Sequence, residues 1–203
     1  MGTKVILGIV GAIVLIAIVV GLSVVGPYNT LVRLDQAAQA QWAQIENVYQ
    51  RRADLVPNLV ETVKGASNFE KDTLTAVTEA RAKVGQVTPG AMQNIVNDPA
   101  AFQRFQQAQD GLSSALSRLM VVAERYPELK ATQNFRDLQV QLEGTENRIA
   151  VERMRFNESA QSFNTQRESF PTVLIAGFFG QRFQPKAYFK AQTGAEKAPV
   201  VKF

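Results

Sequence analysis

The sequence predicts an all-α protein: one apolar amino-terminal helix that spans a membrane, an antiparallel up-down-up-down four-helix bundle, and a short irregular carboxyl-terminal tail. Three observations predict this. The first 26 residues hold a long uncharged apolar run, apolar side chains then recur at three- and four-residue spacing as far as Phe163, and the alternation typical of strands is absent before the tail. The corresponding segments are residues 1–4 as a flank, 5–26 as the span, 27–169 as the bundle and 170–203 as the tail.

The run VILGIVGAIVLIAIVVGLSVVG, Val5 to Gly26, contains no charge and a single hydroxyl. Its length of roughly 22 residues, at about 1.5 Å each, gives about 33 Å, enough to cross the hydrocarbon of a bilayer. A cleaved secretory signal is the competing reading, but a signal's apolar core is shorter and no clear A-x-A site follows. Lys4 on one flank, against Arg33 and Asp35 on the other, leans toward a cytoplasmic amino terminus and an extracytoplasmic body. The expected location is the bacterial inner membrane, as a single-pass protein. Gly8, Gly11, Gly21 and Gly26 would permit close helix contacts in lipid, or reflect the ordinary glycine content of membrane helices.

After Pro27, Leu31, Leu34, Ala38, Trp42, Ile45 and Tyr49 form the first stripe, a helix continuing from the membrane with a bend at the proline. Because a residue before proline is pushed out of helical conformation, Val56–Pro57 predicts that this helix ends near Arg52 and that a second starts at Pro57. Val60, Val63, Ser67, Leu74, Val77 and Val84 are its stripe. Asp98 then offers an N-cap and Pro99 a first helical residue, followed by Phe102, Phe105, Gln109, Leu112, Leu116, Leu119, Ala123 and Tyr126 in heptad order. Pro127 ends that helix. Thr132 caps the fourth, whose seam is Phe135, Leu138, Leu142, Thr145, Ile149, Glu152, Phe156, Ala160 and Phe163, and Pro171 stops it.

The expected hairpin at Arg51–Glu61 concentrates charge at a chain reversal. Arg51 and Arg52 fall where a helix carboxyl end favours cations, and Asp54 where an amino end favours anions. Capping explains them; a polar network of Arg51, Arg52, Asp54, Asn58 and Glu61 that docks a partner is the functional alternative. Four antiparallel helices would return the chain to the membrane, where Leu174, Ile175, Phe178, Phe179 and Phe183, with Lys186 and Lys190, form an apolar segment with a basic edge. That segment either lies on the lipid surface or covers the end of the bundle core. Ala191–Phe203 reads as a flexible tail or an edge strand added to a neighbour.

Composition narrows the function. With no cysteine and no histidine, thiolate nucleophiles, disulfides and the commonest general base are all missing. No G-x-S-x-G, phosphate-loop or dinucleotide fingerprint occurs. An enzyme is not expected, and neither is a cofactor or metal. The net charge of +4 resides in the tail, where Arg182, Lys186, Lys190, Lys197 and Lys202 face Glu196 alone. The rest of the chain is balanced and has no basic stripe with stacking aromatics, so nucleic acid is not an expected partner.

YNTLVRLDQAAQAQWAQIENVYQRRADLVPNLVETVKG, LEGTENRIAVERMRFNESAQSFN and SFPTVLIAGFFG together resemble the bacterial LemA family over roughly Tyr28–Gly180. The resemblance implies a single membrane anchor, a helical-bundle body and no established enzymatic activity. A magnetosome relative implies membrane shaping, and some members imply association with membrane metalloproteases of the HtpX type. Phe69 stands where many relatives carry a histidine, and the tail beyond Phe183 lies outside the shared pattern.

Within the second motif, Glu143, Glu146, Arg148, Glu152, Arg153 and Arg155 crowd one helix, with Glu152 on the apolar seam. A carboxylate there requires a partner, expected to be an arginine from a facing helix, or else these charges set register between subunits. The sequence therefore predicts a non-enzymatic, membrane-anchored scaffold that forms homo-oligomers and organises or remodels the bacterial envelope membrane. The alternative is an adaptor whose hairpin tip meets another membrane protein, such as an HtpX-type protease or a signalling receptor. Partners would be the lipid bilayer, further copies of the chain and a membrane protein.

Overall fold

The computed structural model describes residues 2–65, 70–87, 92–180 and 182–190; most of these are helical, residues 182–190 are not, and there is no strand among them. Phe69, Ser67 and Ala191–Phe203, each given a role above, lie outside the described residues. The helices are α1 (Gly2–Lys64), α2 (Lys71–Val87), α3 (Pro99–Ala123), α4 (Pro127–Lys130), α5 (Gln133–Glu168) and α6 (Thr172–Phe178). A 3₁₀ turn, Met92–Asn97, precedes α3. The chain divides into two compact units: Met1–Ala40 with Glu158–Pro185, and Gln41–Asn157 with Lys186–Phe203.

The expected hairpin at Arg52–Pro57 does not form. α1 continues through Pro27 and Pro57 and ends at Lys64. Proline in a helix interior removes one hydrogen bond and leaves the carbonyl four residues earlier without its donor, a cost of about 3 kcal/mol. For Pro57 that carbonyl belongs to Ala53, and it accepts instead from Arg81 Nε of α2 at 3.1 Å. Val56, Leu59, Val60 and Val63 on the same turns are buried, which holds the helix together across the break. Val60 and Val63 therefore belong to α1, and α2 carries only the later part of the second stripe.

In the second unit these residues share a core with Val77 and Val84 of α2, Leu112, Leu116, Leu119, Val122 and Ala123 of α3, Leu129 of α4, and Phe135 and Leu142 of α5. α3 begins as its sequence predicts. Asp98 Oδ1 accepts from the amides of Ala100 and Ala101 at 2.9 and 3.0 Å, with Pro99 at the first helical position. Phe102, Phe105, Gln109, Leu112, Leu116, Leu119 and Ala123 are all buried. Tyr126 precedes a separate short helix, α4. Thr132 Oγ1 accepts from the Phe135 amide at 3.4 Å, and the α5 seam is buried at Phe135, Leu142, Thr145, Ile149, Phe156, Ala160 and Phe163.

The first unit contains the apolar half of α1, the end of α5 and α6. Its core is Leu31, Phe163, Ala176 and Phe183, with Tyr28, Val32 and Leu34 against it. Arg167 Nε donates to the Phe183 carbonyl at 2.7 Å, and Gln166 Nε2 to Thr172 Oγ1 at 2.9 Å, so the segment after α5 is tied back onto it. Towards its amino terminus α1 is long and apolar enough to cross a membrane, with a mean hydropathy of 2.9 over its most apolar window and none of that window buried.

Candidate functional site: a buried arginine and the groove above it

Arg52 is not at a hairpin tip. It lies fully buried, 0% exposed, inside the second unit. The helical continuation through Pro57 puts it on the inward face of α1, one turn after Tyr49, where the alternating three- and four-residue pattern would otherwise place an apolar side chain. Its Nη1 donates to Ser113 Oγ at 2.5 Å and to Glu146 Oε1 at 2.8 Å. Nη2 donates to the Gln109 carbonyl at 3.2 Å and to Gln109 Oε1. Ser113 Oγ in turn donates to Glu146 Oε1 at 2.8 Å, so α1, α3 and α5 are joined through one carboxylate oxygen. The guanidinium lies 5.0 Å from the centre of the Tyr49 ring, and its Nε has no protein partner.

A second charged pair adjoins it. Arg153 of α5 donates from Nε to Tyr49 Oη at 2.6 Å and from Nη2 to Asp110 Oδ1 of α3 at 3.0 Å. Burial pushes the Tyr49 phenol up, against the pull of the Arg153 and Arg52 cations. For Arg153, burial acts to lower the pKa, but the Tyr49 oxygen and the Asp110 carboxylate outweigh it and the net direction is up. Tyr49 thus sits between two guanidiniums, and the cluster holds its charges in compensated pairs. Nearby, Glu46 accepts from Trp42 Nε1 at 2.6 Å, and partial burial raises its pKa against that hydrogen bond.

Beside the Ser113–Glu146 contact, α3 and α5 line an open groove of about 530 Å³, with Leu116, Met120 and Leu142 as its apolar lining and Ser113, Ser117, Glu143, Glu146 and Asn147 as its polar one. Nearer the amino end of α3, the segment that follows α6 packs against the helices. Phe189 packs among Trp42, Phe102 and Phe156, and Arg153 lies 4.9 Å from its ring centre. Asn157 brackets its backbone, accepting from the Phe189 amide at 2.9 Å and donating to the carbonyl at 3.0 Å.

The residues expected at a docking tip separate. Arg52 is internal, whereas Arg51, Asp54, Asn58 and Glu61 are exposed along α1 at spacings of three and four, so they form a ridge on one helix face. Gln50 Nε2 donates to Asp54 at 2.8 Å and Lys64 pairs with Glu61 at 2.7 Å. Of the α5 charges, Glu146 joins Arg52 and Arg153 joins Asp110, while Glu143 and Arg148 are exposed. Glu152 corrects the expectation of a facing arginine. It accepts from Gln41 of α1 and pairs with Arg155 of its own helix at 2.9 Å. Sequence reasoning missed Ser113, Asp110 and Asn157 altogether; only Gln109, polar on an otherwise apolar seam, signalled that an internal charge needed an acceptor.

The tail residues also divide. Leu174 and Phe178 are 65% and 85% exposed, and Phe179 is partly so, in contact with Tyr28 at 5.2 Å between ring centres. Ile175 and Phe183 are buried in the first unit, and Lys186 is buried in the second with its Nζ 2.7 Å from Asn97 Oδ1. Those three are therefore removed from the expected lipid-facing set, because each packs into its own unit. Lys190 is exposed.

A model of the LemA family matches residues 41–203. The chain is 26% identical over 188 residues to the magnetosome protein MamQ of Magnetospirillum gryphiswaldense, covering 86% of this chain and 68% of that protein. Magnetosome protein MamQ 2 of Paramagnetospirillum magneticum is 25% identical with the same coverage. Protein LemA of Metamycoplasma hominis is 26% identical over 152 residues, covering 75% of this chain and 64% of the relative. The match runs through residue 203, so the tail beyond Phe183 falls inside the shared pattern rather than outside it. With most of its residues under that one model, this chain belongs to the LemA family.

Proposed function

We propose that this protein is a non-enzymatic, membrane-anchored scaffold that self-associates and organises or shapes the bacterial envelope membrane, its body an antiparallel four-helix bundle. The observation that carries the reading is in the first unit. The apolar segment of α1 ends at Tyr28, and against Tyr28 packs Phe179 at the end of α6, which exposes Leu174, Phe178 and, before it, Phe170 at 80%. An unburied span and an exposed apolar segment packed at its foot are what a chain needs to lie on the bilayer it crosses. Arg182, 5.9 Å from the Tyr28 ring, adds a cation at the same level, suited to anionic headgroups. The names of the magnetosome relatives support a role at a membrane compartment, and neither those names nor the family's denotes an enzyme.

Crosslinking of the full chain in native membranes, followed by sizing in detergent, tests the scaffold: discrete multiples of the chain mass are expected, and a strict monomer with no partner would end the proposal. The adaptor reading is favoured by the exposed Arg51–Asp54–Asn58–Glu61 ridge on α1. Reversing Arg51 to Glu separates the two, since it abolishes capture of a membrane-protein partner in the adaptor case and leaves self-assembly intact in the other.

A further inference from the structure

We infer that the outward face of α5 is a self-pairing seam on which the α5 of a second copy docks in parallel; this rests on the self-association proposed above and gives it a surface. α5 carries two stripes. One faces the core through Phe135, Leu142, Thr145, Ile149 and Phe156. On the opposite face Val140, Gly144, Asn147, Val151 and Met154, all exposed, follow one another at spacings of four, three, four and three. That alternation is the spacing of a left-handed two-helix seam, with Gly144 and Val151 at a and Val140, Asn147 and Met154 at d. A surface helix whose outer side meets only water is polar there, and three large apolar side chains in register depart from that.

The residues in and beside the seam fit it to its own copy. Asn147 makes no side-chain hydrogen bond among the described residues, and a lone seam asparagine is best satisfied by its counterpart, which fixes register. Gly144 is not required by packing inside the chain, because a Cβ there would meet nothing within 4 Å. Glycine is a poor helix former, and at mid-helix it suits a second helix that approaches closely. The flanking charges choose the direction. Glu143, at g, accepts from Gln139 of its own helix at 2.9 Å; neither it nor Arg148, at the following e, holds an ion pair among the described residues. In a parallel pair each Glu143 meets Arg148 of the second copy, twice by symmetry, whereas in an antiparallel pair e faces e and Arg148 meets its own copy. Glu143 also lines the α3–α5 groove with Glu146, so the incoming guanidinium reaches an acidic recess. Asp137 and Glu158, the next a positions on either side, would each face their own copy, and that repulsion bounds the seam. Val140, beside Asp137, is left where the helices part and water enters. Two heptads make a short seam, and confinement of both chains to one membrane supplies the effective concentration it needs.

The chain lacks cysteine, so Gly144→Cys and Val151→Cys can each be made alone in the full chain, oxidised in isolated membranes and sized without reductant. Both positions are exposed and a Cβ at Gly144 is unobstructed, so folding is spared. Each variant is expected to give a disulfide-linked dimer, since two positions seven residues apart both meet their own copies only in a parallel, in-register pair. Val121→Cys, exposed on α3 and off the seam, is the control and is expected to stay monomeric. Arg148→Glu should slow dimer formation at Val151→Cys about three- to tenfold, as loss of two exposed ion pairs predicts, and adding Glu143→Arg should restore it. Linkage at one seam position alone, equal linkage at Val121→Cys, linkage to a different protein, or a rate indifferent to the charge swap would each overturn the inference. Multiples of the chain mass seen with a general crosslinker but no disulfide at the seam overturn it and leave the scaffold standing; a strict monomer by both methods ends the scaffold as well.

Discussion

At the scale of single residues, Arg52 concentrates the most consequence. A guanidinium with no exposed surface is held by Glu146, Ser113 and Gln109, and a buried charge is tolerated only while such partners remain. Arg52→Ala strands those acceptors and is expected to cost about 3 kcal/mol, a loss of about 6–12 °C in melting temperature for a chain of this size. Glu146→Gln should cost only about 1 kcal/mol, because Ser113 and Gln109 still accept or share the guanidinium and the Glu146 side chain is 37% exposed. Thermal melts of the full chain in detergent, followed by circular dichroism, check both. Glu46 gives a pH test. Its folded pKa lies above its unfolded one, so it contributes stability that is complete below the ordinary glutamate value and is lost as pH rises through the folded value. Glu46→Gln mimics the protonated form. The variant should melt above the parent at pH 7 and with it below about pH 4, the ordinary range for a glutamate; a constant difference across that window would contradict the assignment. The sequence marked Arg52 and Glu146 as members of charged clusters but not as each other's partners, since their pairing depends on where α1 ends.

At the scale of helices, that ending is where pattern reading failed. α3 was legible in detail because Asp98, Pro99 and the apolar seam are all local signals, and each acts within a turn or two of itself. Pro57 is also a local signal, and it pointed to a break that does not occur, because what satisfies the Ala53 carbonyl comes from Arg81, 28 residues away. Glu152 failed for the same reason: the seam foretold that it needs a partner, and only the facing position of Gln41 decides which. The explanation of Pro57 makes a prediction of its own. Arg81→Ala should destabilise the protein by about 1 kcal/mol by leaving that carbonyl without a protein donor. In a Pro57→Ala background the residue 57 amide returns to Ala53 by the ordinary helical bond, and the cost of Arg81→Ala should vanish. A double-mutant cycle by urea unfolding measures the difference, and a coupling below about 0.3 kcal/mol would mean that α1 survives Pro57 by packing alone.

At the scale of the whole molecule, the functional reading depends on whether the exposed apolar residues of the first unit meet lipid. The span announces itself in the sequence as an uncharged run, but which tail residues are free to face a bilayer could not be read there, because Leu174, Ile175, Phe178 and Phe183 look alike until Ile175 and Phe183 are taken up by the core around Leu31. Exposure of Phe178 next to the end of the long apolar segment of α1 has little use in water, where a large apolar surface invites aggregation, and a clear one at an interface, where burying such a side chain gains roughly 1.5–3 kcal/mol. A cysteine-free chain permits a direct measurement. An environment-sensitive fluorophore on Phe178→Cys, in proteoliposomes of the full chain, should be blue-shifted and quenched by spin-labelled lipid. The same probe on Val140→Cys of α5, 68% exposed in the other unit, supplies the aqueous reference. Equal quenching at the two positions would detach α6 from the membrane and leave the scaffold anchored by α1 alone, a tether that holds the body near lipid without any means of shaping it.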